Sequence, residues 1–207
     1  PGFLNIPNTF TIEFWAKPQA TREIDLEATS GVSGVGGQRY AVGPHHIYVA
    51  PLGADFGVDA SAGISIGTNG VSVYEHGTGY LPALLVWEGG LTNWTHVAVV
   101  YENKTPRLYI NGLLVRTGLT SPRANVFPGV VFGNNTYGYG AYSGALDEIE
   151  IYNRALSASE IQAIFNAGSA GKCTAAAPTP TPQVAPTPTP VPAPTPTPVP
   201  APTPTPV

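Results

Sequence analysis

From Pro178 to Val207, proline recurs at almost every second position. The run opens as Pro178-Thr179-Pro180-Thr181-Pro182 and continues as the octad Ala-Pro-Thr-Pro-Thr-Pro-Val-Pro beginning at Ala185, Ala193 and Ala201. Proline supplies no N–H, so a helix or sheet ladder finds no regular donors here, and the segment is confined to polyproline II or disorder. It cannot contribute to a core. As an extended rod the thirty residues would reach roughly 90 Å. The chain therefore divides into a body, residues 1–172, and an arm, residues 173–207.

The body, about 170 residues, is long enough for one domain with a full core. Only 11% of the chain is charged, with 24 Gly, 10 Tyr and no Met, which suits a turn-rich all-β domain. A net charge of -4 provides no electrostatic footprint for a nucleic-acid backbone. No apolar run approaches the roughly 20 residues that span a bilayer. The Pro/Thr composition of the arm is that of surface stalks and secreted linkers, which places the protein outside the cell or on its surface. Cys173 is the single cysteine and lies where body becomes arm, so it cannot bridge the domain to itself. It is expected either to be free or to form an intermolecular disulfide with another chain.

Period-two alternation recurs through the body. Phe10, Ile12 and Phe14 share one face of a strand, and Thr11, Glu13 and Trp15 share the other. Similar strands are expected over Gln38–Val42, Ile47–Val49, Gly63–Gly67, Val71–Tyr74, Leu84–Trp87, Trp94–Tyr101, Arg107–Val115, Val130–Gly133 and Ala145–Tyr152. Asn69-Gly70 marks a hairpin and Asn111-Gly112 a tight turn, since both residue types tolerate positive φ. Glu102 to Pro106 reads as a five-residue connection. In the last strand Leu146, Glu148, Glu150 and Tyr152 alternate against Asp147, Ile149 and Ile151. Ser157-Ala158-Ser159-Glu160 is a capping box opening one short helix, Ala158–Asn166, with Gly168 as its stop. The expected architecture is all-β, a sandwich of two antiparallel sheets.

Three stretches together resemble the laminin G-like domains of the concanavalin A-like lectin and glucanase superfamily: Phe10 to Pro18, Trp94 to Gly112, and Gly144 to Ser157. The resemblance implies a jelly-roll sandwich, usually extracellular, modular and binding rather than catalytic. Such domains commonly carry further strands before the point where Phe3-Leu4-Asn5-Ile6-Pro7 begins. The expectation is either that the opening strands precede the given sequence or that the sandwich has a vacant edge, able to accept a neighbour's strand.

The same superfamily contains retaining β-glucanases that use an acid-apolar-acid-apolar-acid strand, and Glu23-Ile24-Asp25-Leu26-Glu27 has that pattern. By that resemblance Glu23 would be the nucleophile, Glu27 the acid/base and Asp25 the residue that tunes them. Ala28-Thr29-Ser30 departs from the glycine and basic residues that usually follow, and a solvated acidic strand accounts for the pattern equally well. Asp147 stands where related domains often place a calcium-binding carboxylate, and Ca²⁺ would need several more oxygen ligands. Tyr137, Tyr139 and Tyr142, set among glycines, form an aromatic loop of the kind that stacks on sugar rings. Asn93-Trp94-Thr95 and Asn134-Asn135-Thr136 fit the N-glycosylation pattern. In the arm, Thr179, Thr181, Thr187, Thr189, Thr195, Thr197, Thr203 and Thr205 are candidate O-glycosylation sites.

Three functions follow. The first is a non-enzymatic subunit of a surface or secreted fibre, in which copies of the protein join head to tail through the arm. The second is a carbohydrate-binding or adhesion module, tethered by the arm and meeting glycans or cell-surface polysaccharide. The third is a β-glucanase.

Overall fold

A computed structural model describes residues 6–34, 36–43, 58–77, 81–134 and 140–168, all within a unit spanning Pro1–Cys173. Eleven strands and one helix are assigned among them: β1 (Phe10–Pro18), β2 (Tyr40–Gly43), β3 (Asp59–Gly67), β4 (Gly70–His76), β5 (Ala83–Glu88), β6 (Thr95–Glu102), β7 (Thr105–Ile110), β8 (Leu113–Thr117), β9 (Asn125–Pro128), β10 (Val131–Phe132), β11 (Gly144–Tyr152) and α1 (Ala158–Ala167). One sheet runs β11-β1-β6-β7-β8, and the other β10-β2-β3-β4-β5 with β9 parallel to β3. The result is an all-β jelly-roll-like sandwich of antiparallel sheets with one short helix, as the sequence implies.

The alternating apolar positions meet between the sheets. Phe10, Ile12, Phe14 and Ala16 of β1, with Val97, Val99 and Tyr101 of β6, face Ile64, Ile66, Val71, Val73 and Leu85 across a single core. Phe10 stacks on Tyr101 with ring centroids 4.7 Å apart. Packing of this kind gains roughly 1.5–3 kcal/mol for each large side chain removed from water, before the entropy of ordering the chain.

Two connections differ from expectation. The β6–β7 link is a two-residue turn, Asn103-Lys104, with φ of 48° and 67°, and Pro106 lies inside β7 opposite Tyr101. Gly118 N–H donates to the Pro106 carbonyl. The missing N–H of the proline therefore points to the side where β8 has already ended, and the ladder loses little. In the β3–β4 hairpin, Thr68-Asn69 forms the loop and Gly70 pairs with Gly67. The Asn69 side chain then clamps Arg22, accepting from its N–H at 3.0 Å and donating to its carbonyl at 2.8 Å. The expected strand Ile47–Val49 lies outside the described residues.

The two outer faces are covered differently. On the five-stranded sheet, Ile161 of α1 and Leu156, just ahead of the helix, pack onto Ala98, Val100 and Tyr109. On the other sheet, residues 19–34 and 36–38 form a strap over Tyr40, Tyr74, Ser65 and Ser72, all fully buried. The Tyr40 hydroxyl donates to the Gly34 carbonyl at 2.6 Å, and the two tyrosine rings meet edge to face.

Candidate ligand-binding cleft

Trp15 is the aromatic among the outward positions of β1, whose other members are Thr11, Glu13 and Lys17. Helix α1 covers one flank of it: Phe165 stacks on Trp15 at 6.0 Å, and the His96 ring lies 5.4 Å away. Beneath Trp15, His96 Nε2 and Glu13 Oε2 are 2.7 Å apart and wholly enclosed. The Tyr152 hydroxyl donates to Glu13 Oε1 at 3.3 Å and also to Glu150. Desolvation first, and then these carboxylates, push the Tyr152 phenol well above its ordinary range.

Strand β11 does not alternate regularly. Glu13 pairs with Glu150 but Trp15 pairs with Asp147, so β11 carries one residue more than β1 between these points. Leu146, Ile149 and Ile151 all pack against the core, which places the change of side at Asp147 and Glu148. Glu148 adopts φ of 50°, a conformation costing roughly 1–2 kcal/mol for a residue with a side chain. This is a β-bulge, and it re-aims a side chain as such irregularities do. The expected grouping of Leu146 with Glu148 is thereby corrected: Asp147 and Glu148 are consecutive yet border the same hollow.

That hollow has a volume of about 250 Å³ and is lined by Trp15, Trp94, Asp147, Glu148 and Gly168. Trp94, just ahead of β6, is 44% exposed. Asp147 Oδ1 accepts the Glu148 N–H at 2.8 Å. Trp94 was visible in the sequence as the start of a strand and as the middle of an N-glycosylation pattern, and Trp15 as an outward residue. The signal for Trp15 was a large aromatic on an otherwise polar face. The one sequence signal for the bulge that brings Glu148 alongside was Leu146, which falls out of step with Ile149 and Ile151.

The other candidate residues are dispersed. Glu23, Asp25 and Glu27 lie on the strap, whose one ladder contact in this stretch is a bridge from Glu27 to Ala83, so the expected acidic strand is an extended segment. Asp25 accepts from Gln38 Nε2 and from the Tyr74 hydroxyl. Glu27 accepts from Val86 N–H and from both arms of the Arg116 guanidinium at 2.8 and 2.9 Å. Glu23 is exposed, and its carbonyl holds Gln38. Ile24 and Leu26, at 43% and 89% exposed, turn outward between them. Each inward carboxylate is committed to its own structural partners.

Tyr142 is partly buried against the core, its phenol pushed up to about 12 by desolvation. Tyr137, Tyr139, Cys173 and the arm threonines from Thr179 to Thr205 lie outside the described residues. Among the described residues no group of three or more His, Cys, Asp or Glu gathers. Ca²⁺ takes six to eight oxygens, and Asp147 and Glu148 are the two carboxylates that border the hollow.

A larger hollow, about 520 Å³, includes Lys104, Arg123, Pro122 and Val58 in its lining and has no aromatic among the described residues that line it.

The sequence matches a laminin G family model, described as the concanavalin A-like lectin/glucanases superfamily, over residues 2–162. The chain belongs to this superfamily. No curated protein matches it. The superfamily domain is similar to the receptor binding domain of botulinum neurotoxin C/D mosaic serotype at 16% identity and a TM-score of 0.50, covering 79% of this chain and 37% of that one. It is also similar to domain 4 of AbnA, an extracellular arabinanase of Geobacillus stearothermophilus solved with arabinotriose (20% identity, 79% and 69% covered, TM-score 0.46). A third similarity is to the heptameric SAP-like pentraxin of Limulus polyphemus (15% identity, 77% and 70% covered, TM-score 0.47). These likenesses concern the fold. The superfamily domain spans little more than a third of the neurotoxin domain's length.

Proposed function

We propose that the body, residues 1–172, is an extracellular, non-enzymatic glycan-binding module and that the cleft between Trp15 and Trp94 is its ligand site. The observation that carries this reading is two tryptophans bordering one small hollow beside two carboxylates. Aromatic faces stack on the C–H face of a sugar ring, and carboxylate oxygens accept its hydroxyl hydrogens. At about 250 Å³ the cleft is below the roughly 300–1,000 Å³ of drug-sized sites, which suits one sugar unit or a chain end. The separate structural partners of Asp25 and Glu27 support the non-enzymatic reading. Binding to a panel of immobilised glycans should fall at least tenfold in Trp94→Ala with the thermal transition unchanged. Undiminished binding by that variant would sink the assignment.

The fibre reading, with copies joined head to tail through a glycosylated arm and a Cys173 disulfide, rests on residues outside those described. Electron microscopy of the full chain and of a chain lacking Pro178 to Val207 separates the two: filaments that vanish with the arm support the fibre, and monodisperse glycan-binding monomers support the module.

A further inference from the structure

Three features of the cleft share one sign. Asp147 and Glu148 are brought to the same side by the bulge. Gly168, at the C-terminal end of α1, forms another part of the wall, and the last turn of that helix contains no basic residue. A helix C-terminus presents carbonyl oxygens and a partial negative charge. Two tryptophans, Trp15 and Trp94, complete the lining, and indole rings attract cations. Each feature has a different physical origin, and all three favour positive charge in the hollow. Lys17, two residues along β1 and opposite Ala145, puts a cation on the same sheet face without lining the cleft. Arg154 is paired with Glu160 at 2.8 Å. The buried Glu13–His96 pair, with Glu150 beside it, lies under Trp15 rather than in the hollow.

From these features we infer that the cleft selects a glycan bearing a free, protonated amine, an amino sugar without its acetyl group. The inference rests on the glycan-binding reading above. The ammonium sits between the indole faces and the Asp147 and Glu148 carboxylates, while neighbouring hydroxyls take the remaining acceptor positions. An acetamide in its place is uncharged and bulkier, and a sialic acid or a sulfated sugar brings a like charge against both acids.

Titration calorimetry tests this with three oligosaccharides of equal length: a glucosamine oligomer, its N-acetylated form, and a cello-oligomer. A basic lysine peptide serves as a fourth probe. The glucosamine oligomer is expected to bind at least tenfold tighter than the other two sugars, with affinity falling as salt is raised. Asp147→Asn and Glu148→Gln should erase that preference while leaving weak binding to the neutral sugars, and Trp94→Ala should abolish both. Equal binding of all three sugars overturns the charge selectivity and leaves the glycan reading standing. Failure of all three overturns both. Tight glucosamine binding that persists in the double variant Asp147→Asn/Glu148→Gln overturns the assignment of the site. A lysine peptide binding as tightly as the glucosamine oligomer makes the partner a basic polypeptide and overturns the sugar.

Discussion

Glu75 follows Val71 and Val73 on the core side of β4 and has no exposed surface. Its carboxyl is pushed up to about 7, because the cost of burying a charge outweighs the hydrogen bonds donated by the Ser121 and Tyr101 hydroxyls. Below about pH 4.5 the group is protonated whether the chain is folded or not. Between about 4.5 and 7 the unfolded chain ionises while the folded one resists, so stability falls as pH rises through that window. The shift corresponds to about 3 kcal/mol. In wild type the melting temperature should drop from pH 4.5 to 7.5 by more than it does in Glu75→Gln, and parallel curves would refute the claim. Glu148 gives a second test at this scale. Glycine relieves its positive φ, so Glu148→Gly should raise stability by about 1 kcal/mol in denaturant melts while it weakens ligand binding. A loss of stability would show that the Glu148 side chain contributes more to the fold than its backbone conformation costs.

Among the elements, α1 and the strap depend on single residues. The Ser157 hydroxyl accepts the Glu160 N–H, and Glu160 reaches back to the Ser157 N–H at 2.8 Å. Arg154 and then Ser157 hold the Glu160 carboxyl down to about 2. Ser157→Ala should cost about 1 kcal/mol and, since Phe165 of the same helix flanks Trp15, weaken ligand binding as well. In the strap, Gly34 has φ of 80° and a Cβ there would come within 2.7 Å of the Tyr40 oxygen and 2.8 Å of the Tyr74 ring. Gly34→Ala should loosen the strap and expose the bonds around Leu26 to proteases, with the opposite sheet left intact. Alternation made β1, β6 and β11 legible in the sequence, because their apolar positions fill a core. It gave no warning of β9, which ends in Pro128 and pairs in parallel with β3. It also misread Pro106, because a proline removes one donor and only the neighbouring strand decides whether that donor was needed. The bulge at Glu148 is a relation between two strands, and one strand read alone shows only that Leu146 is out of step with Ile149 and Ile151. The cleft was illegible for the same reason: Trp15, Trp94 and Asp147 come from three separate segments.

At the scale of the sandwich, the two outer faces are covered unequally. The strap fills the face that carries Tyr40 and Tyr74, and among the described residues α1 leaves Trp94, at the end of the other sheet, 44% exposed. The arrangement also has a temporal side. Strand β1 lies between β6 and β11, and the Thr11 hydroxyl donates to the Arg154 carbonyl across 143 residues of chain. Long-range closure of this kind is slow and entropically late. A fragment ending before Gly144 should remain unfolded by circular dichroism, because one side of β1 then has no partner. During synthesis β1 must wait, half-paired and with an open edge, until β11 has followed it. The interval before β11 arrives is when two nascent copies are most able to exchange strands.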